Sequence, residues 1–230
     1  MSQPLVTEFT DGAAPNDGWA VLILASSSPR RRELLTLMGL PFEVVPSRFL
    51  EPPAPPHPVR LSDFVIELAT EKAREVAQRT PGALVLGADT LVTLALEETG
   101  VALGKPADAQ EARRMLAMLS GKWHAVYTGL ALLRTSPEGG IDNTLQVSVR
   151  SRVKFRDLTE RMIADYVATG EPLDKAGAYG AQGYAAPFIE SFEGDFYNVV
   201  GLPLCAFGQL LERSGLEWWR FRAHIPHACG

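Results

Sequence analysis

A strand-length apolar run, Trp19-Ala20-Val21-Leu22-Ile23-Leu24-Ala25, breaks off into Ser26-Ser27-Ser28-Pro29-Arg30-Arg31-Arg32. An unbroken apolar run of this length reads as a strand buried on both faces, which demands cover on either side of its sheet. Ser28 is a natural helix N-cap and Pro29 a natural first helical residue, so the serines mark a strand-to-helix turn. Leu34, Leu35 and Met38 then follow at helical spacing, and Gly39 suits the stop. The three arginines are out of place on a merely solvated helix, because its first turn is the positive end of the dipole and favours acids. They make sense if a polyanion is held there by free backbone N–H groups, serine hydroxyls and guanidinium forks together. The plain alternative is a solvated basic face with Glu33 pairing a neighbour.

Beyond this turn, strand and helix signals interleave. Residues 41–45 read as a second strand and 61–79 as a long amphipathic helix with Phe64, Leu68, Lys72 and Val76 in register. Residues 83–90 form an apolar strand that ends on the polar pair Asp89-Thr90. A helix is predicted over 108–119, strands over 123–134 and 144–155, and a helix over 159–168 with Thr159 near its start. A Gly-rich loop covers 174–186, a strand-like run 188–200 and a closing helix 204–216. The prolines of 52–58 exclude regular structure and suit a stiff, lid-like loop. This alternation predicts an α/β fold with a mixed, twisted β-sheet flanked by helices. Residues 1–18 are expected to form a disordered arm, 19–217 one domain and 218–230 a tail.

Composition narrows the function classes. A formal net charge of −5 argues against a protein that coats nucleic acid. It leaves room for a small anion held by a local basic cluster. Two cysteines, Cys205 and Cys229, make neither a disulfide framework nor a zinc site. No apolar run reaches the ~20 residues that span a bilayer, and the first residues lack a secretory signal pattern. A cytoplasmic protein with no membrane partner is expected.

Other segments carry possible chemistry. Asp89 in Gly87-Ala88-Asp89-Thr90 could hold a metal or activate water, or simply cap a turn. Lys72 falls where its apolar neighbours would turn it inward, and an inward lysine needs an anion unless it snorkels out. Lys105, in Gly104-Lys105-Pro106, is either an anion contact or a solvated residue. In Asp174 to Gly183, three glycines at spacing three permit close backbone approach, and Gln182 offers both donor and acceptor to a nucleobase edge; an ordinary turn-rich loop would look similar. There is no P-loop, since Ser120-Gly121-Lys122 lacks the upstream glycine and the following hydroxyl. GxGxxG and GxSxG are missing as well, and the four histidines do not pair at ligand spacing within a helix.

Taken in order, Ser26 to Leu35, Gly87 to Thr90, Gly104 to Pro106 and Asp174 to Gly183 resemble the Maf family of nucleotide pyrophosphatases, over about residues 21–211. The resemblance implies a deep cleft between two lobes, a homodimer, and hydrolysis of a nucleoside triphosphate to monophosphate and pyrophosphate with Mg²⁺ or Mn²⁺. By position Asp89 resembles the family's water-activating base. Glu51, Lys72 and Lys105 resemble its other catalytic residues, with Glu51 and Asp89 as metal ligands. Ser28, Arg30 and Arg31 resemble its phosphate-binding loop. Arg30, Thr90 and Gln182 are similar to the Arg, Thr and Gln of a dTTP/UTP group, whereas a 7-methyl-GTP group carries Trp, Gln and Glu. Leu50 departs from the pattern, since many relatives have an acid beside the glutamate. The stretches 43–49 and 194–200 are similar to the Maf domain that some animal proteins join to a methyltransferase-like domain. Two other readings stay open: a purine pyrophosphatase acting on ITP or XTP, and a non-catalytic nucleotide-binding regulator of cell division.

Overall fold

A computed structural model describes residues 21–52, 60–94 and 99–219. The expected arm at 1–18, most of the proline loop, and the tail beyond 219 lie outside these residues. The chain runs β1 (Val21–Leu24), α1 (Pro29–Leu37), β2 (Glu43–Val44), α2 (Leu61–Ala77), β3 (Ala83–Thr93), β4 (Ala102–Leu103), α3 (Ala109–Leu119), β5 (Trp123–Thr135), β6 (Ile141–Phe155), α4 (Glu160–Ala168), β7 (Ile189–Glu193), α5 (Phe196–Val200) and α6 (Leu204–Arg213). Short 3-10 turns fill the Gly-rich stretch before β7.

The strands make one mixed sheet in the order β2-β1-β3-β5-β6-β7, with β4 added to β3. β1 runs parallel to β2 and β3; β3, β5, β6 and β7 are successively antiparallel. This is the α/β architecture that the alternation predicts. Side chains alternate between the two faces along each strand. Leu84, Leu86 and Ala88 of β3 therefore join Leu22 and Leu24 of β1 in a core with α1 and α6. Ala83 and Val85 face the other way, with Ile23, onto Ala69, Ala73 and Val76 of α2. α3 and α4 cover the far end of the sheet, around Val126, Val153 and Phe155.

Two glycines set how closely α2 lies on this sheet. A Cβ added at Gly87 would sit 2.1 Å from the Ala69 carbonyl oxygen, and one at Gly129 would sit 2.3 Å from the Val65 carbonyl. Only residues without a side chain permit that approach. Gly129 is the cross-strand partner of Asp89, so the close contact flanks the site described below.

Three predicted elements differ from the structure. Asp89-Thr90 does not end a strand: β3 continues to Thr93, because Asp89 to Thr93 extend its ladder with β5. The run 188–200 divides at Gly194, whose φ of +102° ends the strand, and Asp195 then caps α5 through the amides of Tyr197 and Asn198. The strand at 41–45 shrinks to Glu43–Val44.

Candidate active site

The cleft lies at an interruption in the sheet. β1 accompanies β3 only to Leu86 and β4 rejoins the same side at Val92. Between them the chain leaves β1 through the serine turn, so one side of Asp89 to Val92 faces a cleft of about 310 Å³. Asp89 and Thr90 both line it, although they belong to opposite faces of β3. Asp89 shares the face of α2, and Thr90 that of α1.

On the α2 side the register of the helix turns Lys72 inward; it is buried, as its spacing predicts. Its Nζ lies 2.5 Å from Asp89 Oδ1 and 2.6 Å from Glu51 Oε1. The two carboxylates share one cation but respond oppositely. The Asp89 side chain is 7% exposed and that of Glu51 45%. Burial raises the Asp89 pKa above the ordinary carboxylate value, although Lys72 and Arg31 pull the other way. At Glu51 burial also acts upward, yet the Lys72 hydrogen bond and the charges of Lys72, Lys105 and Arg31 outweigh it and hold the carboxyl below its ordinary value. Asp89 Oδ2 is buried with no hydrogen-bond partner among the described residues. An orphaned carboxylate oxygen is costly, and it is expected where an ion, a water or a substrate group completes the site.

On the α1 side, Ser28 caps the helix by accepting from Arg31 N–H at 3.5 Å, with Pro29 following. Arg31 folds back into the protein. Its guanidinium donates to Gly201 O at 2.9 Å, Thr90 Oγ1 at 3.1 Å and Ser26 Oγ at 3.3 Å. Burial lowers its pKa, opposed by Asp89 and then reinforced by Arg30; an arginine remains charged nonetheless. Arg30 reaches across the cleft to Asp174 at 4.0 Å. Arg32 is exposed, outside the cleft lining.

The structure thus brings Ser28, Arg30, Arg31, Glu51, Lys72, Asp89, Thr90 and Lys105 to one cleft. It does not bring Gln182 there: that residue is exposed, and its neighbours Gly180 and Ala181 form the wall. Lys175 and Tyr179 also line the cleft, and residue type alone gave no reason to choose them. Lys175 is clamped to Asp174 Oδ1 at 2.6 Å and Glu171 O at 3.0 Å. Tyr179 shares a hydrogen bond with buried His124 at 2.9 Å. Among the described residues no group of three or more His, Cys, Asp or Glu could enclose a metal. Glu51 and Asp89 are a two-carboxylate donor set in the cleft lining, which suits a hard cation that takes its other ligands from phosphate and water.

The family model described as Maf-like protein matches residues 21–214. A dTTP/UTP pyrophosphatase of Moorella thermoacetica is 50% identical over 206 residues, which cover 86% of this chain and 97% of that protein. One from Symbiobacterium thermophilum is 49% identical over 197 residues, or 84% and 94% of the two chains. One from Bacillus cereus is 45% identical over 197 residues, or 85% and 96%. With a family match that spans the whole of the described sheet and relatives at 45–50% identity over most of its length, the chain belongs to the Maf family.

Proposed function

We propose that this protein is a nucleoside triphosphate pyrophosphatase that takes dTTP and UTP, or modified pyrimidine nucleotides, to monophosphate and pyrophosphate. The observation that carries this reading is the buried Lys72–Asp89 pair, with its unpartnered Oδ2, beside the serine-arginine turn. The relatives at 45–50% identity carry the matching name, which supports the substrate class.

Hydrolysis at the α-phosphorus asks for positioning and for charge neutralisation more than for covalent help. The positive end of α1, entered through Ser28, and the guanidinium groups of Arg30 and Arg31 receive the polyphosphate. Lys105, at the exposed rim, adds charge. Asp89 accepts the proton of the attacking water, and its raised pKa brings it nearer the range in which a base operates. Lys72 holds Oδ1 so that Oδ2 stays directed to the reaction. Glu51 and Asp89 would hold a Mg²⁺ or Mn²⁺ ion, which supplies Lewis-acid neutralisation of phosphate oxygens when bound. Arg30, Thr90 and Gln182 bias base choice, Gln182 from outside the cleft lining. The reading includes a cytoplasmic homodimer.

The test is a nucleotide panel with pyrophosphate detection, run with and without Mg²⁺ or Mn²⁺, on wild type and Asp89→Asn. The reading requires pyrimidine triphosphates to lead ITP, XTP and GTP, a metal requirement, and a folded Asp89→Asn protein with little release. An active Asp89→Asn enzyme would overturn the role of Asp89. Nucleotide binding without turnover in either metal would instead favour a sensor.

A further inference from the structure

We infer that Thr128, a residue of β5 behind the cleft, is a positioning residue that fixes the Arg31 guanidinium through the hydroxyl of Thr90. It rests on the phosphate-binding reading of Arg31 given above. Thr128 and Asn198 are wholly buried. Thr128 Oγ1 lies 3.0 Å from the backbone carbonyl of Asn198 and 2.9 Å from Thr90 Oγ1. A carbonyl can only accept, so the single proton of Thr128 goes to Asn198 O. Thr90 must then donate to Thr128, and it has only lone pairs left for Arg31, which donates to it at 3.1 Å. The chain of hydrogen bonds runs in one direction, from the arginine to the carbonyl.

The carbonyl end is itself anchored. Asn198 Nδ2 donates to Val126 O at 3.1 Å and Ser151 Oγ at 2.9 Å, which ties α5 to β5 and β6. Asn198 O also accepts from Gly201 N–H at 3.0 Å, and the carbonyl of that same Gly201 receives Arg31 Nε. Two of the three contacts that orient Arg31 therefore trace back to one short helix. The guanidinium has five N–H donors; among the described residues Thr90, Gly201 and Ser26 take three, and the others are left for a ligand. Removing the Thr128 hydroxyl frees the Thr90 proton to turn towards Arg31, where it meets only other donors. Asn198 O keeps Gly201 N–H, so the loss falls on the arginine rather than on α5.

The experiment compares Thr128→Val, which keeps the shape, with Thr128→Ser, which keeps the hydroxyl. Steady-state hydrolysis of UTP, calorimetric binding of inorganic tripolyphosphate and thermal midpoints are measured for each. A loss of about ten-fold in kcat/KM is expected for Val, of the order of one well-directed charge-assisted hydrogen bond. Ser should stay within about two-fold of wild type, and tripolyphosphate affinity should follow the same order. Thermal midpoints report the separate structural costs, a buried methyl group in Ser and two buried hydrogen bonds in Val, so turnover and affinity are compared well below both midpoints. A purely structural role predicts that Ser is the worse variant in every readout, and that result, or equal affinities, overturns the inference. If Val fails to fold, Ser against Ala isolates the hydroxyl in the same way. A wild type that binds tripolyphosphate in the expected order but hydrolyses no nucleotide upholds Thr128 and overturns the proposed function.

Discussion

Lys72→Met removes the cation that lies within hydrogen-bond reach of both Glu51 and Asp89 while keeping a side chain of similar length. The two pairs are unequal. The Glu51 side chain is 45% exposed and its loss is screened by solvent, about 1 kcal/mol or less. The Lys72–Asp89 pair is buried on both sides, and breaking such a pair costs about 3–5 kcal/mol when the partner is left charged. Asp89 escapes part of this by taking up a proton. Without the Lys72 charge, which pulls its pKa down, Asp89 takes up that proton at a higher pH than in wild type, and one proton of linkage changes stability by ~1.4 kcal/mol per pH unit. The sign follows from the raised pKa: the stability of the protonated form is present at low pH and is lost as pH rises through the folded-state value. The deficit of the variant should therefore be small near pH 4, open at up to ~1.4 kcal/mol per unit, and level off at about 3–5 kcal/mol. Urea unfolding of both proteins at one-unit intervals from pH 4 to 8 measures it. A deficit that is constant across that range would refute the reasoning, because it would mean that Asp89 does not carry the cost.

Other perturbations address separate parts of the structure. Gly129→Ala places a Cβ against the Val65 backbone, which cannot yield as a side chain can; a loss of about 3 kcal/mol in denaturant unfolding is expected, with turnover falling as α2 moves Lys72. Buried His124 has its pKa lowered from 6.5 to about 4 by desolvation. Its contribution is present above 6.5 and lost as pH falls towards 4, up to about 3 kcal/mol, so His124→Gln should flatten that limb of the stability curve. Asp108 accepts from Glu111 N–H at 2.7 Å to cap α3, away from the cleft. Asp108→Ala should cost about 1 kcal/mol in thermal unfolding and leave turnover unchanged.

The local parts of this site were legible in the sequence. Ser28, Pro29 and the apolar run before them announce a strand, a cap and a helix, because each signal acts within a few residues. The helical register likewise turned Lys72 inward. The convergence of Glu51, Lys72 and Asp89 was not legible from the residues, because it depends on how close α2 comes to the sheet. That distance is set by Gly87 and Gly129, whose role appears only when helix and strand are superposed. The end of β3 was misplaced because polar Asp89 and Thr90 look like a strand terminus, although both faces of the strand there meet polar partners rather than solvent. Thr128 and Asn198 gave no signal, since a buried hydroxyl or amide in an apolar strand or short helix has no local mark.

The interruption along β3 also bears on how such a protein can diverge. The strand that carries Asp89 and Thr90 is paired with β5 from Leu84 to Thr93, so it belongs to a long ladder that runs without a register shift. Changes there act on stability and turnover together, and selection cannot adjust one alone. The opposite wall is built from short turns around Lys105, Asp174 and Gly180 that carry no long ladder. Variation in substrate choice is expected to accumulate on that wall and at Arg30 and Thr90, while the rest of the strand beneath it stays nearly frozen.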